Sequence, residues 1–113
     1  MKTTLHSAIL LFLMLPIMAY ANQEIENQLR ACHQERETAK EIMLRRQLMV
    51  PFENVMRDAV SASSGTGKAK VRDMVETAYS WPKGDHRMSR DYIDSFGSQY
   101  YDLCLFERLR IMR

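Results

Sequence analysis

The chain has 113 residues, 46% of them hydrophobic and 27% charged, with a formal net charge of +2. That length holds one domain at most once a targeting segment is set aside, and so small a core buries a modest share of the chain's surface. A balance this close to neutral creates no field to gather nucleic acid or an anionic membrane, so neither is expected as a partner.

The first segment reads as an export signal. Lys2 provides a positive start, Ala8 to Met18 form a short apolar run, and Ala19-Tyr20-Ala21 has the small-x-small form that signal peptidase accepts. The run falls short of the roughly 20 residues of a permanent membrane helix, and no second apolar run follows it. Residues 1–21 are therefore read as a cleaved signal peptide and residues 22–113 as a single soluble helical domain, with no membrane insertion after cleavage. No cysteine stands just after the cut to accept a lipid. The style of the signal fits a bacterial periplasm, with secretion as the alternative.

Cys32 and Cys104 are the only two cysteines. In an oxidising compartment they are expected to form a disulfide, closing a loop of about 70 residues worth roughly 4 kcal/mol in the chain-entropy model. The alternative is a pair of redox thiols, for which the sequence lacks a Cys-x-x-Cys pair.

Beyond the signal the apolar period is helical throughout, which predicts an all-α fold, a small bundle of about four helices stapled by one disulfide. A first helix over about 23–48 places Ile25, Leu29, Cys32, Arg36, Ala39 and Met43 on one stripe. Val50-Pro51 ends it, because proline disfavours helical geometry in the residue before it. A second helix over about 51–60 aligns Phe52, Val55, Met56, Ala59 and Val60, and residues 61–67 form a flexible linker. A third, over about 66–79, aligns Val71, Met74, Val75, Ala78 and Tyr79 and stops before Pro82 and Gly84. The fourth is expected to start at Ser89 as N-cap, with Met88 and Ile93 as a hydrophobic staple. Its inner face would carry Ile93, Phe96, Tyr100, Leu103, Cys104 and Ile111. Gly97 costs roughly 1 kcal/mol against alanine in a helix, which suggests a close approach by another backbone near the bridge.

The stretches that look like chemistry have plainer explanations. Ser63 to Ala69, "SSGTGKA", resembles a phosphate-binding loop, but Ala62 occupies the position of the first glycine and Ala69 replaces the Ser or Thr that would reach magnesium. His33 and His86, the histidines left after processing, belong to no zinc-ligand spacing. Met43, Met56 and Met74 fall on predicted core faces, where methionine is ordinary filling rather than a copper site. Glu35 to Glu41, with Arg45 one turn beyond, is the solvated side of the first helix. No catalytic motif is present, so no enzymatic activity, metal or cofactor is expected.

Two stretches remain as partner-binding candidates. Tyr79, Trp81 and Arg87 lie in or beside the loop "YSWPKGDHR" and are of the residue types that dominate binding hot spots, although Trp81 could instead close the core. Tyr101, Leu105, Leu109 and Met112 form a second apolar stripe at the end of the fourth helix.

Met74-Val75, Ala78-Tyr79, Pro82, Arg90, Phe96, Tyr100 and Cys104, with Cys32 upstream, resemble the pattern of small exported two-cysteine helical proteins of Gram-negative bacteria. The resemblance implies a helical fold with one disulfide and no activity. In size and staple the chain is also similar to periplasmic acid-stress chaperones and to small helical immunity proteins that neutralise cell-wall-degrading toxins, but it carries no residue motif of either group. The expected function is the binding of another periplasmic protein or of a second copy. An inhibitor or immunity protein would use a preformed site, whereas a chaperone would need an acid switch, for which Asp94 and Asp102 are the candidate carboxylates.

Overall fold

A computed structural model describes the backbone of residues 2–111 and the side chains of residues 22–111. The side chains of the predicted signal segment, and Met112 among the predicted contact residues, lie outside the described residues. The elements in order are α1 (Lys2–Gln47), α2 (Phe52–Ser61), α3 (Gly67–Ser80) and α4 (His86–Ile111), with no strand among the described residues. The chain divides into two compact units, residues 1–31 and residues 32–113. The first is the amino-terminal part of α1. The second contains the rest of α1, the three other helices and the Cys32–Cys104 disulfide, whose Cα atoms are 5.5 Å apart. The expected all-α fold with one disulfide is the observed one.

In the second unit the helices meet along the stripes that periodicity predicts, with two departures: Ile42, off the predicted stripe of α1, is buried, and Phe52, on the predicted face of α2, is 38% exposed. Ala39, Ile42 and Met43 of α1, Val55 of α2, Val71, Met74, Val75 and Ala78 of α3, and Phe96 and Tyr100 of α4 form one buried cluster. Each set repeats at three or four residues, so each helix turns one face inward. The predicted stripes run too far at two ends. Ile25 and Leu29, in the first unit, are 43% and 40% exposed, so the buried stripe of α1 begins at Cys32. Leu103 shares Phe96's side of α4 two turns later. The apolar cluster ends at Tyr100, however, and Cys104 is the last buried side chain of α4, while Leu103 and Ile111 emerge into solvent at 56% and 81% exposure.

Gly97 is buried for a steric reason. A Cβ there would lie 2.5 Å from Lys40 Cγ and 3.1 Å from Arg36 Cγ, so α1 and α4 cross tightly at this point. The close approach is made by the stems of two long side chains rather than by backbone. Lys40 then continues outward, with Nζ 3.7 Å from Asp94. The 61–67 linker is a run of hydrogen-bonded turns, with Gly65 at φ +57° and the amides of Gly67 and Lys68 donating to the carbonyls of Ser64 and Gly65.

Candidate functional site

Gln47, in the last turn of α1, is the only buried polar residue among those described, at 5% exposure. Its Oε1 accepts hydrogen bonds from the Gly84 amide and the Ser89 hydroxyl, both at 2.9 Å, and its Nε2 donates to the Pro82 carbonyl at 3.1 Å. One side chain thus satisfies three groups of the segment between α3 and α4, and leaving any of them unpaired in the interior would be costly. Arg46 adds a fourth tie, with Nε donating to the Trp81 carbonyl at 3.2 Å. Gly84 has to be glycine, since a Cβ would stand 2.6 Å from Met88 Cβ and 2.9 Å from the Ser89 amide nitrogen.

This clamp changes the start of α4. The helix begins at His86 and its cap, four residues before the expected one, is Asp85, whose Oδ1 accepts the amides of Arg87 at 3.1 Å and Met88 at 2.8 Å. Asp85 and Ser89 are both good caps by type. Gln47 decides between them by engaging the Ser89 hydroxyl. Met88 is 42% exposed, so the staple expected across a Ser89 cap is absent.

The predicted contact residues of this segment separate. Trp81 is half-buried and meets Phe96 and Tyr92 edge-on, with ring centroids 5.3 and 5.9 Å apart, and so closes one end of the core. Tyr79 donates its hydroxyl to the Val50 carbonyl, stands edge-on to Phe52 at 5.4 Å, and lies beneath the Arg46 guanidinium. Burial raises its phenol above the ordinary value, with Arg46 and Arg45 pulling the other way. Arg87 is exposed.

Beside the clamp runs an open groove of about 400 Å³ between the end of α1 and the start of α4. Leu44, Leu48 and Ile93 supply its apolar part, and Lys83, His86 and Arg90 line it from the polar side. Leu44 is 38% and Leu48 67% exposed. Lys83, Arg87 and Arg90 form no ion pair with any described residue, and the nearby Asp85 is engaged as a helix cap. The surface is therefore apolar in its floor, with two cations, Lys83 and Arg90, and one carboxylate, Asp85, at its rim.

The α1–α2 joint extends this surface. The Val50 amide donates to the Arg45 carbonyl and the Met49 amide to the Arg46 carbonyl, the crossed pair of bonds that ends a helix around a left-handed residue. Glycine normally takes that position, but here Met49 holds φ +64° with its side chain 65% exposed. Sequence reasoning missed Leu44, Leu48 and Met49. The available signal was a second i, i+4 apolar pair on α1, off the inner stripe.

At the other end of α4, the predicted stripe is partly engaged. Tyr101 is half-buried beneath Arg36, whose guanidinium carbon is 4.9 Å from the ring centroid, and Leu105 is half-buried. Leu109 is 46% exposed. The exposed apolar line instead consists of Leu103, Phe106 and Leu109, with Phe106 66% exposed. Phe106 was missed, although its three-residue spacing to both leucines marks one helix face.

The remaining polar clusters are internally paired. Arg45 bridges Glu41 at 3.4 Å and Asp58 at 3.1 Å over a second groove of about 480 Å³ whose floor residues Ile42, Val55 and Val71 are buried. His33 shares a 3.0 Å contact with Arg36. No group of three or more metal-ligating side chains comes together among the described residues. Compared with protein-family models, curated proteins and solved structures, the chain matches none of them.

Proposed function

We propose that the protein is exported and acts by binding another protein, without catalysis or cofactor, through the groove between the end of α1 and the start of α4. The observation that carries this reading is the apolar floor of Leu44, Leu48 and Ile93 beside Lys83 and Arg90, cations left unpaired by the described residues. An exposed apolar patch rimmed by polar groups is how protein-binding surfaces are commonly built. The chemistry fits a partner that offers an apolar anchor flanked by carboxylates.

The site is preformed. Gln47 fixes the segment that carries Lys83, and the Asp85 cap fixes the turn that carries Arg90. That arrangement favours one-partner binding, as by an inhibitor or immunity protein, over a chaperone that must remodel to expose its surface. The disulfide fits a non-reducing compartment, and together with the signal-like first residues it supports a periplasmic location.

The test is capture of the tagged protein from cell envelopes beside two variants, Leu48→Asp and Lys83→Glu/Arg90→Glu. A single stoichiometric partner held by the native surface and lost from both variants is the expected result. A partner retained by both would remove the groove from consideration, and many clients captured only in acid would replace this reading with a chaperone.

A further inference from the structure

We infer that a second copy of this chain pairs with the first through the last turns of α4, the two helices running antiparallel about a twofold axis at Phe106. The inference uses a different face from the groove and does not depend on the function proposed above.

The face is self-complementary in its order of residues. At about 100° per residue, Asp102, Leu103, Phe106, Leu109 and Arg110 all lie within about 60° of one line down the helix. All five are exposed, and neither Asp102 nor Arg110 pairs with any described residue. A twofold interface requires that if one residue meets another, the second meets the first in return. In an antiparallel pair centred on Phe106, residues equally spaced before and after it share a level. Leu103 then stands level with Leu109 of the second copy, Asp102 with Arg110, and Phe106 with its own equivalent. The leucine layers cover the two aromatic rings, and the two carboxylate–guanidinium pairs close both ends.

Charge selects the direction. A parallel pairing would keep Phe106 on Phe106 but set Asp102 against Asp102 and Arg110 against Arg110, like charges that disfavour it. The bridge also holds the stripe outward. Cys104 lies on the far side of α4 from Phe106 and is tied to Cys32 of α1, so the Phe106 face stays free of the core.

So few side chains should cover less than the roughly 800 Å² per partner of a standard interface, so the dimer should be weak. Sedimentation velocity of the purified protein from about 5 to 500 μM reads such association. The expected result is a reversible shift from the monomer mass towards twice that mass. Phe106→Glu, Asp102→Arg and Arg110→Asp should each weaken association about tenfold or more, and Asp102→Arg/Arg110→Asp should restore it. Mixing the two single charge variants should also give a heterodimer, since one chain then presents two arginines and the other two aspartates. All these positions are exposed, so helical circular dichroism should not change. A monomer at every concentration, a dimer indifferent to Phe106→Glu, or a double variant that stays monomeric would each overturn the pairing.

Discussion

The segment from Tyr79 to Arg90 and the last three turns of α4 are opposites. The first is rich in residue types associated with binding, yet its two largest aromatic side chains are tied inward, Trp81 against Phe96 and Tyr92 and Tyr79 against Phe52 and Val50. The second reads as an ordinary amphipathic helix, yet Leu103, Phe106 and Leu109 stand in solvent. What separates them is the extent of the core. Trp81 lies beside the buried cluster and can fold over it, whereas α4 continues past Tyr100, where that cluster ends. Residue type indicates what a side chain can do, and the reach of neighbouring elements decides whether it is available.

Substitution in the inward segment should give the largest effect. Trp81→Ala removes two edge-on aromatic contacts and opens one end of the core, and should cost about 3 kcal/mol in urea unfolding. A loss within about 0.5 kcal/mol, together with a large loss of partner binding, would reverse the assignment and make Trp81 a contact residue. Gln47→Ala should follow at about 2 kcal/mol, because the Gly84 amide would lose its acceptor beneath the loop. The same variant should speed hydrogen exchange at Gly84 while leaving the amides around Phe106 unchanged. Uniform acceleration across both regions would show that the clamp stabilises the whole unit rather than the segment.

How much of this was legible in the sequence follows from which interactions are local. Helix stripes depend on spacing within one element, so the core positions of α3, Cys32, Ala39 and Met43 of α1 and the Cys32–Cys104 staple could be read from it, whereas Ile42 was not. The α4 start could not. Asp85 and Ser89 are equivalent caps by type, and the choice rests on Gln47, thirty-odd residues earlier, whose role no local pattern announces. The groove was hidden for the same reason, since Leu44 and Leu48 come from α1 and Lys83 and Arg90 from the loop and α4. The α4 stripe was seen one face away from the exposed one, because periodicity indicates that a line is apolar but not how far its covering extends.

Alkaline pH probes the inward-facing Tyr79 and Tyr100. Tyr100 is buried and its hydroxyl contacts Asp73 at 3.3 Å; burial is the main cause holding its phenol above the ordinary 10.0. Tyr79 shifts in the same direction, also chiefly by burial. The folded state therefore holds these protons more tightly than the unfolded chain. Their contribution to stability is complete below about pH 10 and is lost as pH rises through the higher folded values. The urea midpoint should fall from pH 9 to pH 11, and Tyr100→Phe should make that fall shallower. A midpoint that rises over this interval would contradict the burial of both phenols.

Met49 sharpens the comparison from the other side, since it is exposed and in a backbone conformation that favours glycine. Met49→Gly should stabilise the fold by about 0.5–1 kcal/mol, the left-handed penalty exceeding the entropy that glycine adds to the unfolded chain. If the same variant also weakens partner capture, the strained conformation is retained for the side chain it presents beside Leu48.

The smallest effect on stability belongs to the outward region. Phe106→Ala should alter the unfolding free energy of the monomer by no more than about 0.5 kcal/mol, although the same truncation at Phe96 should cost about 3–5 kcal/mol. The two phenylalanines are ten positions apart on one helix, and only their neighbours differ: Phe96 is fully buried between Trp81 and Tyr100, and Phe106 is 66% exposed. Unfolding must be followed at low micromolar concentration, where any dimer has dissociated, because association adds concentration-dependent stability to the native state. Under that condition a large loss at Phe106 would mean that the core reaches further along α4 than Tyr100. A negligible loss combined with abolished self-association would assign this ring to the interface rather than to the fold.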